Sequence, residues 1–400
     1  MNPGNGGERV ESGEMTRAVH AGGKVDPASG SPVTPIYMTS TFAFATTDDL
    51  AAVSKGERPG NFYTRYGHPN QRAAEEKLAA LEETEAALVF SSGMAAISTS
   101  LLAHLRPGDR LVAFRDLYGG TLAFIREVLI PFGIAVDWVD AGDDRALEAA
   151  LARPAKVVYT ETPTNPVLKV VDLGRVARLA RKAGALSFVD ITFATPYNVK
   201  PIGLGLDLAI HSATKYLSGH ADLTGGAVAG ERAVLEKIAH LRKLLGGILA
   251  PHDAWLLERS LKTLPIRMER HNRNGQAIAE FLSRHPAVKA VHYPGLPSHP
   301  GHAIALREMR GFGGVVAFEP RGGLDAAKRF ADRLKLATLA PSLGGVETLV
   351  SHPVFTSHAG LSPEERRKAG IPDGIVRVAV GLEDAADLVA DFARALEGLA

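Results

Sequence analysis

Apolar residues along this chain recur in two alternating rhythms. Short runs such as ALVFS (87–91), RLVAF (110–114), KVVYTE (156–161), LSFVD (186–190) and LAIHS (208–212) are too brief for helices and predict buried strands. Between them the spacing changes. Ala74, Leu78 and Leu81 fall at i, i+4, i+7 within 70–83 and predict an amphipathic helix. Further helices are expected from Gly93, near Leu122, and from Asp172 to Lys182. Strands alternating with helices predict an α/β fold, with a mostly parallel sheet covered on both faces.

Past Gly246-Gly247 the rhythm lengthens. Long helical stretches occupy about 253–284, followed by a strand GGVVAFE (313–319), a helix from Leu324, a strand IVRVAVG (375–381) and a last helix from Glu383 to Leu399. This predicts a smaller α+β domain over 251–400, after a large domain over 61–250. Residues 1–60 are expected to be a tail and arm. Their first fourteen residues are polar and Gly-rich and read as a mobile tail, and 15–60 carry few regular signals, with prolines at 27, 32, 35 and 59.

Composition acts mainly by exclusion. The 400 residues are 46% hydrophobic and 22% charged, which fits packed globular domains. Forty-five basic and 44 acidic residues give a net charge of +1, so neither nucleic acid nor an anionic membrane is an expected partner. No cysteine is present, which removes disulfides, thiolate metal ligands and thiol nucleophiles together. There is neither a signal-peptide pattern nor an apolar run long enough to span a bilayer, so a cytoplasmic location is expected. Fourteen histidines raise the question of a metal. His299 and His302 lie three apart in a Pro-Gly loop without an acidic companion, so no metal site is expected there. His220 beside Asp222 reads as a local structural pair.

The chemistry gathers around HSATKYLSGH (211–220). Lys215 follows an apolar strand and is flanked by Ser212, Thr214 and Ser218. An apolar setting disfavours the charged ammonium and makes the amine a candidate nucleophile, suited to Schiff-base chemistry with an aldehyde cofactor. Such a lysine needs a phosphate site, an acid for a ring nitrogen and a stacking group. Ser91-Ser92-Gly93, between a strand and a helix, suits a phosphate or is a plain helix cap. Asp190 ends LSFVD, at the strand edge where ligands bind in open α/β sheets, or serves as a turn or cap residue. Tyr118 precedes Gly119-Gly120 and offers a ring face, or is an ordinary turn tyrosine. Arg377, between Val376 and Val378, suits a substrate carboxylate or a structural ion pair.

Taken in order, YTRYGHPN (63–70), FSSGMAAI (90–97), DLYGGT (116–121), ETPTNP (161–166), VDITFATPY (189–197), HSATKYLSGH, LKTLPIRMERH (261–271), YPGLPSHPGH (293–302) and SLGGVETL (342–349) resemble the Cys/Met-metabolism family of pyridoxal-phosphate enzymes. The likeness runs from about residue 15 through nearly the whole chain. It implies an aspartate-aminotransferase-like fold (PLP fold type I) and pyridoxal 5'-phosphate as cofactor. Lys215 would carry the cofactor and shuttle protons, and Asp190 would meet the pyridine nitrogen. Gly93, Met94, Ser212 and Thr214 would hold the phosphate. Tyr63 and Arg65 would reach that phosphate from a neighbouring subunit, implying a homotetramer built from catalytic dimers. Tyr118 would stack on the ring and serve as acid or base, while Asn165, Ser342 and Arg377 would orient a small amino-acid substrate.

The implied reaction is γ-elimination from a sulfur amino acid, giving a 2-oxo acid, ammonia and a thiol. A γ-replacement enzyme of the cystathionine γ-synthase or O-acyl-homoserine sulfhydrylase kind is the alternative. A catalytically inactive scaffold is the outside alternative, against which Lys215 and Asp190 both stand. Three positions depart from the family pattern. Ile191 stands where Asn is usual. Pro341 stands where cystathionine-handling members carry Glu, and Gly120 where methionine γ-lyases carry Cys.

Overall fold

The computed structural model describes residues 12–399. Most of the expected tail, residues 1–11, therefore lies outside the described residues. Two helices, Glu14–His20 and Thr47–Ser54, punctuate the segment that reads as irregular from its prolines. The second is capped by Thr46, whose side chain accepts from Asp49 N–H.

The large sheet has seven strands: β1 (Ala86–Phe90), β2 (Arg110–Phe114), β3 (Ala135–Val139), β4 (Val157–Glu161), β5 (Leu186–Asp190), β6 (Leu208–His211) and β7 (Gly226–Gly230), in the order β1-β7-β6-β5-β4-β2-β3. Five strands, β3 to β6 through β2 and β4, run parallel, and β7 is antiparallel to both neighbours, β1 and β6. Both β1 and β6 oppose β7, so they point the same way. The loops after β1, β4, β5 and β6 therefore emerge at one edge, and the site is built there.

Leu88 and Phe90 of β1, Val112, Val158, Phe188, Leu208 and Ile210 pack against Ile97 and Leu101 of the helix Gly93–His104 on one face. On the other face Val89, Ala227 and Ala229 of β7, and Ala213 meet Ala74, Leu78 and Leu81 of the helix Pro69–Glu82 and Leu257 and Leu261 of the helix Pro251–Leu261. Burial on both faces explains why these strands read as continuous apolar runs instead of alternating ones.

The second sheet has five strands: β8 (Val288–His292), β9 (Val315–Pro320), β10 (Thr338–Leu339), β11 (Leu349–Ser351) and β12 (Val376–Ala379), in the order β10-β11-β12-β9-β8. Its core joins Val376 and Val378 to Phe318, Phe330 and Phe392, with edge-to-face ring contacts of 5.1 and 5.4 Å. The pleat then turns Arg377 to the opposite face, toward the large sheet. The long helical stretch after residue 250 is two helices, Pro251–Leu261 and Leu264–Arg284, interrupted before Pro265, which lacks the N–H that a continuous helix would use.

Candidate active site

A cavity of about 570 Å³ opens at that edge, between the large sheet and the loop leading to β11. Lys215, Asp190, Gly93, Met94, Ser212, Thr214, Tyr118, Asn165, Ser342 and Arg377 all line it. Tyr63 and Arg65 do not. Arg65 donates to Lys243 O (2.9 Å) and stacks over Tyr63 and Tyr66, outside this cavity.

Two turns, one after β1 and one after β6, supply an anion pocket. Ser92 caps the helix Gly93–His104 by accepting from Ala95 N–H (3.0 Å), and the N–H groups of Gly93 and Met94 have no acceptor among the described residues. A Cβ on Gly93 would approach the Ser212 Cβ at 3.0 Å, so glycine there lets the helix start lie against the Ser212 hydroxyl. The Thr214 hydroxyl donates to Gly225 O (3.1 Å) and accepts from Gly225 N–H (2.9 Å), which pins the turn before Lys215. Unpaired helix-start N–H groups and nearby hydroxyls form the donor set that a phosphate group takes.

Asp190 is buried at the end of β5. Its Oδ1 accepts from the Thr192 N–H (2.9 Å) and hydroxyl (2.6 Å), while Oδ2 has no hydrogen-bond partner among the described residues. Ser212 N–H in turn donates to the Thr192 hydroxyl (2.8 Å), so Thr192 ties the ends of β5 and β6 together. Burial raises the Asp190 carboxyl above its ordinary pKa, and the Thr192 bonds oppose that shift. A cationic ring nitrogen at the free Oδ2 would favour the carboxylate. These features fit pyridoxal phosphate: an anion cradle, a free carboxylate oxygen and an amine share one cavity. Ile191 faces away, into an apolar cluster with Val189 and Ala209, so its departure from the family pattern does not touch the cavity.

Lys215 Nζ donates to Ser342 Oγ (2.7 Å). Burial, then the neighbouring Arg377, lower its pKa to about 8. Ser342 holds a left-handed backbone, φ 96°, which costs a non-glycine residue about 1–3 kcal/mol. Its carbonyl accepts from Arg377 Nη2 (2.9 Å). Arg377 Nη1 donates to Asn165 Oδ1 (2.9 Å), and Nε is buried without a partner. Burial brings this guanidinium down to about 10, still cationic at neutral pH. An orphaned N–H on a buried cation is suited to a carboxylate.

Glu161, at the end of β4, was not singled out by sequence pattern. Its Oε2 accepts from Tyr118 N–H (2.7 Å) and its Oε1 from Asn165 N–H (3.1 Å). Burial, then Asp190, hold its carboxyl well above the usual range. Thr192 escaped notice in the same way, because a threonine after a strand carries no signal until its partner is known. The ETPTNP segment did contain a clue: an acid that ends an apolar strand, as Asp190 does. His220 Nδ1 pairs with Ser218 O (2.6 Å), so the expected pair with Asp222 does not form.

The family described as Cys/Met metabolism PLP-dependent enzyme matches residues 15–397. L-methionine γ-lyase of Pseudomonas putida is 45% identical over 390 residues, covering 97% of this chain and 98% of that protein. Cystathionine γ-synthase of Mycobacterium tuberculosis is 44% identical over 391 residues, covering 98% of each. The crystal structure of cystathionine γ-synthase from Xanthomonas oryzae pv. oryzae in complex with cystathionine superposes with a TM-score of 0.93 at 40% identity, covering 98% of this chain and 99% of that one.

Proposed function

The chain belongs to the Cys/Met-metabolism family of PLP-dependent enzymes, and on that premise we propose that it is a γ-lyase acting on L-methionine or a similar sulfur amino acid. The substrate and water give 2-oxobutyrate, ammonia and, from methionine, methanethiol. The observation that carries this choice is the make-up of the cavity wall. Pro341 and Leu343 flank Ser342, and the acids among the lining residues are Glu161 and Asp190. Glu161 is committed to two backbone N–H groups, and Asp190 would be taken by the ring nitrogen. The wall thus offers no carboxylate of this chain to a distal ammonium, and an uncharged γ-substituent suits it better than that of cystathionine.

Bound pyridoxal phosphate supplies an electron sink for the pair left when the Cα proton departs. Gly93, Met94 and Ser212 would hold its phosphate, Asp190 its ring nitrogen, and Tyr118 its ring face. Arg377 binds the substrate carboxylate, and Asn165 and Ser342 keep the guanidinium from turning. Lys215 Nζ removes the Cα proton; with a pKa near 8 it is part neutral amine at physiological pH. The Tyr118 hydroxyl donates a proton to the departing sulfur. Tyr63 and Arg65 act in the cavity of a second copy, so the working unit is a dimer, assembled further into a tetramer. The exposed side chains of Tyr66, Leu244 and Leu245 beside Arg65 support such an interface.

Side-by-side measurement of 2-oxobutyrate from L-methionine and L-cystathionine tests the reading. Release from methionine with little from cystathionine is expected; preferred turnover of cystathionine would overturn it. The likeness to a cystathionine γ-synthase favours a second reading, γ-replacement on an activated homoserine ester, which silence on both substrates would select. A visible cofactor band lost in Lys215→Ala tests the cofactor assignment. Mixing Tyr63→Phe and Lys215→Ala proteins tests the shared site, because mixed dimers would regain activity that neither variant has alone.

A further inference from the structure

We propose that Glu161 is a positioning residue for the reaction, in which one carboxyl group sets the backbone of both Tyr118 and Asn165 around the cavity. The inference rests on the roles assigned to those two residues above. Tyr118 and Asn165 belong to different loops, after β2 and after β4, and their N–H groups converge on opposite oxygens of the same carboxyl at 2.7 and 3.1 Å. Glu161 is 5% exposed and forms part of the cavity wall. The tie continues beyond the backbone. Asn165 Oδ1 receives Arg377 Nη1, so Glu161 also fixes, through Asn165, the arginine offered to the substrate carboxylate.

The choice of an acid here needs a reason, because it is costly. The β4–β5 register pairs Glu161 with Asp190, which places two carboxyl groups on adjacent strands of a parallel sheet and on the same face. Two converging N–H donors demand two acceptor oxygens on one side chain. Glutamine supplies one, and its NH₂ would oppose the second N–H; serine and threonine are too short to bridge both loops. A carboxyl group is the side chain that meets the geometry. Burial and Asp190 keep Glu161 above its ordinary pKa, which eases the repulsion without removing either acceptor.

The test compares Glu161→Gln and Glu161→Asp with the wild-type holoenzyme. Glutamine loses one acceptor; aspartate keeps both but withdraws them by a methylene. Both variants are expected to retain the visible cofactor band. In both, the circular dichroism of that band should change as Tyr118 shifts against the ring. The dissociation constant for glycine, read by spectral titration as a probe of the carboxylate clamp, should rise by about tenfold. In an Asn165→Ala background the Glu161→Gln effect on glycine should shrink by at least about threefold, because the relay to Arg377 is already cut. A purely structural Glu161 would lower the melting temperature and leave the dichroism and glycine affinity within about twofold of wild type, which would overturn the proposal. Full additivity with Asn165→Ala would also overturn the relay. Should the glutamine variant not fold, the aspartate variant carries the same test. A wild-type protein without a cofactor band would instead refute the functional assignment on which the inference rests.

Discussion

Replacing Lys215 by methionine in the cofactor-free protein should make the fold more stable at neutral pH. The side chains are similar in length, and methionine fills the same partly buried space without a charge. In the folded chain the amine has its pKa lowered from 10.5 to about 8. At about 1.4 kcal/mol per pH unit this costs the protonated wild type about 3 kcal/mol. The sign follows from linkage. Between pH 8 and 10.5 the unfolded chain holds the proton that the folded chain has released, so wild-type stability rises with pH across that window. The penalty is complete below about pH 8 and gone above about pH 10.5. Methionine also gives up the bond from Nζ to Ser342 Oγ, worth about 1 kcal/mol. The variant should therefore be about 2 kcal/mol more stable at pH 7 and about 1 kcal/mol less stable near pH 10.5. Lys77, also lowered to about 8, is common to both proteins and cancels. Urea unfolding of both apoproteins at the two pH values reads the difference directly. A variant less stable at pH 7, or a difference independent of pH, would show that the Lys215 site is not electrostatically strained.

Three further substitutions follow from the same geometry. Thr192→Val keeps the shape but removes the 2.6 Å bond to Asp190 Oδ1, worth about 1.5–3 kcal/mol; the cofactor dissociation constant, followed by absorbance, should rise about 10- to 100-fold. Gly120→Ala would place a Cβ 2.5 Å from Tyr118 Cε1 and 3.1 Å from Met94 Sδ, so the ring must leave its position. Steady-state kinetics should report a fall in kcat of about tenfold, corresponding to roughly 1.4 kcal/mol of misplacement. Arg377→Lys keeps the charge but loses the fork that engages Asn165 and Ser342 and is proposed to take the substrate carboxylate; kcat/KM should fall roughly a hundredfold, chiefly through KM.

Much of the fold and site was legible because the physics that wrote the pattern is local. A parallel strand buried on both faces must be apolar throughout, so β2, β4, β5 and β6 stand out as runs, and the candidate site residues Asp190 and Lys215 lie at the end of β5 and just past the end of β6. Strand β7 went unread. GAVAG is entirely buried, but its small residues follow a Gly pair and mimic a turn; only pairing with β1 and β6 makes it a strand. At the sheet's edge, AVDWV of β3 carries one fully buried position and signals weakly for that reason. The short helix Glu14–His20 has a single buried residue, Ala18, so periodicity could not mark it; Lys77 Nζ, donating to the carbonyls of Ala18 (2.8 Å) and Val19 (3.1 Å), ties down its end.

By itself, the sequence marked the residues proposed to bear the chemistry: a lysine among small hydroxyl residues, an acid closing an apolar strand, a Ser-Ser-Gly helix start and an arginine between two valines. Each of those signals lies within a few neighbours along the chain. Tertiary structure alone decided how they are held. Thr192 became the clamp on Asp190, Glu161 the bridge between Tyr118 and Asn165, and the strained Ser342 carbonyl the anchor of Arg377. The Tyr118–Glu161 and Arg377–Ser342 bonds, and the Ser212 bond that holds Thr192 itself, join residues far apart in the chain. A hydrogen bond is a property of two groups in space, and no local rhythm records its second partner.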